Sequence, residues 1–161
     1  MTKKRIETNV PYSAAQMFDL VGDVDRYPEF LPWCAALRVA ERDIDADGRG
    51  MILADMVVVY RMFRERFRSR VALDRPARTI DVEYVSGPFR SLQNRWRFED
   101  LPGGGSVIDF EIDFEFKNFF LQATAQAVFD KVFSRMSSAF VARADAVYGA
   151  GAIGNKETAE A

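Results

Sequence analysis

The 161-residue chain contains no histidine. That removes Ser-His-Asp triads, HExxH zinc sites and imidazole acid-base catalysis together. A single cysteine, Cys34, can form no internal disulfide and no CxxC device, which fits a reducing compartment. No run approaches the ~18 apolar residues of a membrane span, and the opening "MTKKRIETNV" has basic residues without an apolar stretch behind them. A cytoplasmic protein is expected. Excess charge is also missing: 22 Lys and Arg against 24 Asp and Glu leave −2, so nothing draws the chain in bulk toward nucleic acid, and DNA is not an expected partner. Gly103, Gly104 and Gly105 lie between two strand patterns with no following helix or Lys-Ser/Thr pair, so they read as a hairpin loop and not a phosphate cradle.

What the chain has in abundance is phenylalanine, fourteen of them, enough to line or fill a large apolar interior. Ser13-x-x-Gln16 is a capping box, so a helix starts there with Met17, Phe18 and Val21 as its inner stripe and Tyr12 and Met17 at staple positions. Gly22 and Asp23 are expected to end it and cap a second short helix, which Pro28 and Pro32 keep short. From about residue 35 to 116 the period changes to two. In "VIDFEIDFEF", Ile108, Phe110, Ile112, Phe114 and Phe116 alternate with acidic or exposed partners, and "FRERFRSRVAL", "TIDVEYV" and "SLQNRWRFE" continue the theme. Turn signals fall at 74–77, 86–88 and 102–106. Asn118 then caps a helix over 119–148, about 45 Å long at 1.5 Å per residue, closed by Gly149 at a C′ position. Its apolar stripe runs Val128, Phe129, Val132, Phe133, Met136, Phe140, Ala144 and Val147.

One helix covers so wide a sheet only if the sheet curls around it. The expected fold is therefore α+β, a helix-grip: a curved antiparallel sheet of about seven strands wrapped on a long C-terminal helix, with two short helices after the first strand. Residues 1–148 form one domain in this reading, and 149–161 a disordered tail.

The charged ladders have bland explanations first. Asp109, Glu111, Asp113 and Glu115 are the wet face of a half-buried strand, and the 102–106 turn sets Arg97 opposite Asp109 and Arg95 opposite Glu111, so no metal is assigned. A turn at 74–77 sets Arg70 opposite Asp81 and Arg68 opposite Glu83. Arg61, Arg64 and Arg66 are left over, free to meet an anionic surface, either phospholipid or ribosomal RNA. The run "MVVVYRMF", 56–63, is apolar on both faces, which reads as burial under the short helices, or else as an exposed lip beside Arg61 and Arg64.

Inside the grip the strands offer Phe63, Phe67, Tyr84, Trp96, Phe98, Phe110 and Phe114, with Glu65, Ser69 and Asn94 as polar members. Composition favours a core filled by these rings against Phe129, Phe133 and Phe140; a hollow lined by them is the sharper alternative. Asn94, Tyr84 and Ser69 are the candidate donors to a ligand oxygen.

The blocks "VPYSAAQMFDLVGDVDRYPEFLPWC", "SGPF", "WRF", "IDFEF" and "MSSAFVARADAVY", in that order over roughly residues 3–148, resemble the coenzyme Q-binding family of START-like domains, in the polyketide cyclase and lipid-transport superfamily. That family also holds bacterial ribosome association toxins. The resemblance implies a hydrophobic tunnel that binds ubiquinone as a ligand and supports its delivery in respiration, with no other cofactor and no catalysis. Tyr27, Phe30, Leu31 and Trp33 resemble its short-helix block, an aromatic lid on the tunnel, with Val132 and Met136 on the facing helix. It also implies contact with the inner membrane from the cytoplasmic side. Two rivals stand beside it, a ribosome-binding module that blocks subunit association and an aromatase/cyclase-like enzyme on the same grip.

Overall fold

A computed structural model of the chain describes residues 2–149. Of the tail expected over 149–161, only Gly149 is among the described residues, and the rest lies outside them. In chain order the elements are β1 (Thr2–Val10), α1 (Ala14–Gly22), a 3₁₀ turn (Val24–Arg26), α2 (Tyr27–Phe30), β2 (Cys34–Ile44), β3 (Arg49–Tyr60), β4 (Phe63–Asp74), β5 (Thr79–Ser86), β6 (Phe89–Asp100), β7 (Ser106–Phe116) and α3 (Phe119–Tyr148). The seven strands form one antiparallel sheet in the order β1-β7-β6-β5-β4-β3-β2. This is the helix-grip expected from the sequence. No helix among the described residues is long and apolar enough to cross a membrane.

The capping box closes as its spacing predicts, with Gln16 N–H donating to Ser13 Oγ at 3.1 Å and Ser13 N–H donating to Gln16 Oε1 at 2.9 Å. Met17, Phe18 and Val21 then bury the inner face of α1. Tyr12 packs against the core cluster that holds Met17 and also reaches α3, its ring 5.9 Å from Tyr148 and its hydroxyl donating to Asp145; that hydrogen bond, with burial and the Asp145 charge, pushes the phenol up to about 12. Asp23 makes no side-chain cap, and the second short helix is a 3₁₀ turn running into the single turn of α2, because Pro28 stands at its start. Asn118 caps α3 by accepting from Phe120 N–H at 2.7 Å and Leu121 N–H at 3.2 Å. Gly149 has a negative φ of −95°, so α3 ends without the left-handed glycine expected there. Val147 is 46% exposed and falls off the buried stripe.

The β6–β7 register sets Arg97 opposite Asp109 and Arg95 opposite Glu111, as read from the turn. The β4–β5 register is shifted by two residues from the one expected. Asp74 pairs with Thr79 and Arg70 with Glu83, because the loop runs on through Arg78, which takes a left-handed φ of 59°. Arg68, past a bulge, turns to the neighbouring strand and holds Asp55 by two hydrogen bonds of 2.7 and 2.9 Å. That charge-assisted fork holds the Asp55 carboxyl below its ordinary range.

Ser106, at the start of β7, is fully buried and its Oγ has no hydrogen-bond partner among the described residues. A buried hydroxyl left unsatisfied is a net cost, so Ser106→Ala is expected to raise stability by about 1 kcal/mol in urea unfolding at constant m-value; a loss of stability would mean the hydroxyl has a partner in solution.

Candidate functional site

The core is divided. One cluster, from Val10 and Met17 through Ile52 and Ile80 to Phe140 and Ala144, packs α1 and the second half of α3 onto the sheet. A smaller one gathers Phe89, Leu92, Phe114 and Phe116 toward the start of α3. Between the sheet and α3 lies a cavity of about 350 Å³ that touches both. Among the described residues no charged side chain lines it.

Each wall follows from a sequence pattern. The inward positions of β4 to β7 supply Phe67, Trp96, Phe110 and Asn94, along with Ser69 and Val82, as period-two alternation requires. The α3 wall is Val128, Phe129, Val132, Met136 and Phe140, at helical spacing. Tyr27, Leu31, Pro32 and Trp33 form the third side. Here the backbone matters, because Trp33 has a left-handed φ of 67°, a conformation that costs a bulky residue on the order of 1–3 kcal/mol. Its carbonyl accepts from Val59 N–H at 2.9 Å and its indole meets the Tyr60 ring at 5.5 Å, so the turn is held where it covers the cavity. The guanidinium of Arg61 sits over the other partner of that pair, 5.3 Å from the Tyr60 ring.

Four of the residues expected at the site are placed elsewhere. Phe30 lies outside the lining, between Tyr27 and Phe140, with the Arg143 guanidinium 5.1 Å from its ring. Phe98 is buried beneath Phe18 of α1. Phe133 stands behind the wall, stacked on Phe110 and tilted against Phe129. Tyr84 packs on Phe89, its hydroxyl accepting from Phe89 N–H at 3.1 Å, and does not line the cavity. Period two identifies a face of a strand; it does not say which stretch of that face a helix covers.

The sequence reading missed the β3 contribution. Met56, Val58 and Tyr60 line the cavity, whereas Val57 and Val59 are partly buried on the opposite face, so "MVVVY" is not buried under the short helices. Its alternate positions carried the signal, masked because both faces are apolar. Phe63, Phe89 and Phe116 at one end, and Leu121, Thr124 and Ala125 on the first turns of α3, complete the lining. Tyr60, Phe63 and Leu121 are partly exposed and Thr124 is exposed, which marks the mouth.

The polar groups are few and specific. Asn94 Oδ1 accepts from the Trp96 indole at 3.1 Å; an indole N–H can only donate, which fixes the amide and leaves its NH₂ free to donate. Ser69 Oγ makes no hydrogen bond among the described residues. The Tyr27 hydroxyl is committed to the Val21 carbonyl, and burial raises its pKa well above the ordinary phenol value. Arg61, Arg64 and Arg66 lie outside the cavity, on the exposed side of β4 and its turn, and form no ion pair among the described residues.

The family model described as polyketide cyclase/dehydrase and lipid transport matches residues 10–141. The ribosome association toxin of Pseudomonas aeruginosa is 34% identical over 140 residues, covering 87% of this chain and 93% of that one. The mitochondrial coenzyme Q-binding protein COQ10 of Drosophila melanogaster is 31% identical, over 87% of this chain and 56% of that one. Among solved structures, an 18 kDa protein of Caulobacter crescentus superimposes with a TM-score of 0.77 at 36% identity, covering 92% of this chain and 99% of that one.

Cys34, 7% exposed, lines the cavity, and burial pushes its thiol up to about 11. At pH 8 it is expected to react with a thiol reagent about two orders of magnitude more slowly than free cysteine, and faster as pH rises toward 11. Reaction at the free-cysteine rate would contradict the burial.

Proposed function

This chain belongs to the polyketide cyclase/dehydrase and lipid-transport family, the START-like group, and we propose that it binds ubiquinone or a similar polyprenyl lipid in the cavity and carries it without chemical change. The observation that carries this reading is the combination of a 350 Å³ void and a wall with no charged side chain among the described residues. An apolar cavity of about 150 Å³ holds benzene, so this one has room for a quinone ring and the first isoprenoid carbons. Each buried CH₂ contributes ~0.8 kcal/mol, so most of the affinity comes from the tail. The ring needs only one or two donors, and the free Asn94 amide and Ser69 hydroxyl supply them. The similarity to the coenzyme Q-binding protein supports the same choice.

Turnover finds little support in the same wall. Its polar groups are an amide, hydroxyls and a buried thiol that stays protonated at neutral pH, and none is an acid-base pair poised to transfer a proton. That argues against the aromatase/cyclase reading. A second reading, ribosome association, is favoured by the similarity to the toxin together with Arg61, Arg64 and Arg66, which form no ion pair among the described residues.

Titration with a short-tailed ubiquinone is expected to quench the fluorescence of the two lining tryptophans, Trp33 and Trp96, saturably, and Ala125→Phe, which fills the void from α3, to weaken binding about tenfold or more. Absence of saturable quenching at micromolar concentration removes the carrier reading. Co-sedimentation with ribosomes, lost on changing Arg61, Arg64 and Arg66 to Glu while quinone binding persists, would favour the second reading.

A further inference from the structure

The cavity mouth opens at one end of the grip, and the side chains around it do not suit water. Three hairpin or helix ends meet there: the β3–β4 turn at Arg61 and Met62, the β5–β6 turn at Gly87 and Pro88, and the start of α3. The Lys117 N–H donates to the Pro88 carbonyl at 2.9 Å and the Phe63 ring meets Phe116 at 5.9 Å, tying the three together. Met62 is 99% exposed, Phe119 81% and Phe120 79%; every other exposed large apolar side chain among the described residues is 46% exposed or less. The two phenylalanines are held out by the helix, not frayed. Phe119 and Phe120 stand on a helix turn closed by the Asn118 cap, and Met62 follows Arg61, which takes a left-handed φ of 57° that glycine would adopt without strain. Around them Arg61, Arg64 and Lys117 carry positive charge without an ion pair among the described residues, and the N-terminal end of α3 adds its partial positive charge. Arg90 nearby is neutralised by Glu115 at 3.5 Å.

We propose that this tip docks on an anionic phospholipid bilayer, with Phe119, Phe120 and Met62 entering the headgroup boundary and Arg61, Arg64 and Lys117 on the lipid phosphates. Exposed rings ringed by cations match an interface that is apolar within and negative at its surface, although the whole chain carries a charge of −2. The tip adjoins Tyr60, Phe63, Leu121 and Thr124 of the cavity lining, so a lipid leaving the bilayer enters the cavity without crossing water. The inference rests on the carrier reading only for that last step.

Sedimentation of the full chain with vesicles of phosphatidylcholine alone, or with phosphatidylglycerol added, tests it. Binding is expected only to the anionic vesicles, and should weaken as salt shortens the screening length from about 10 Å to about 3 Å. The double variant Phe119→Ser, Phe120→Ser and the charge variant Arg64→Glu, Lys117→Glu should each lose about tenfold in vesicle affinity while still binding short-tailed quinone in solution, which also reports that they fold. Ala125→Phe should do the reverse, losing quinone and keeping vesicles, whereas an unaltered chain that binds vesicles but no quinone counts against the carrier reading and not against the docking tip. Failure of the unaltered chain to bind anionic vesicles overturns the proposal. So does undiminished vesicle binding by the Phe119, Phe120 variant, or a finding that these substitutions abolish ribosome co-sedimentation in a chain that ignores vesicles.

Discussion

One helix cannot cover seven strands. Six inter-strand spacings of about 4.8 Å make a sheet about 29 Å wide, against a helix about 10–12 Å across with its side chains. Curling the sheet brings its edges toward α3 but leaves room along its length, which the fold fills unevenly. At one end α1 and the Tyr12, Tyr148 pair close the gap, and the interior there is dense. Toward the other end only a lid of α2 and the Pro32–Trp33 turn reaches across, and the space beneath it remains open.

An open interior removes contacts that a packed one would have, at a cost that grows with cavity volume. The structure offsets this with order in its walls. Phe133 stacks on Phe110 and leans against Phe129, Trp96 is held by Asn94 through the indole N–H, and Trp96 in turn lies edge-on to Phe140. Rings locked by their neighbours resist collapse into the void. The left-handed backbone at Trp33 belongs to the same economy, since strain accepted at a lid sets the one wall that regular secondary structure does not supply.

The elements were legible because each local rule agreed with the fold. Alternation in β4, β6 and β7, the Ser13 capping box and the Asn118 cap all read directly, and the need for a curled sheet followed from counting elements. Register was legible only where the loop was. The β4–β5 pairing slipped by two residues because nothing in "DRPAR" announces that Arg78 takes a left-handed backbone. The cavity was legible as a list of rings but not as a volume: Phe98 and Phe133 have the same chemistry as Phe67 and Phe110, and only the position of α1 and the rotation of α3 decide which of them face a void. Residue pattern encodes a face, whereas hollowness depends on how far apart two faces are held.

The central claim is that void, and the most direct measurement is methyl-resolved NMR during titration with a short-tailed quinone. Saturable shifts at Ala54, Val58, Val82, Val132 and Met136, with Met17, Val21 and Ala144 at the dense end unmoved, are the predicted result. Shifts confined to surface methyls, or none at a quinone excess, would contradict it.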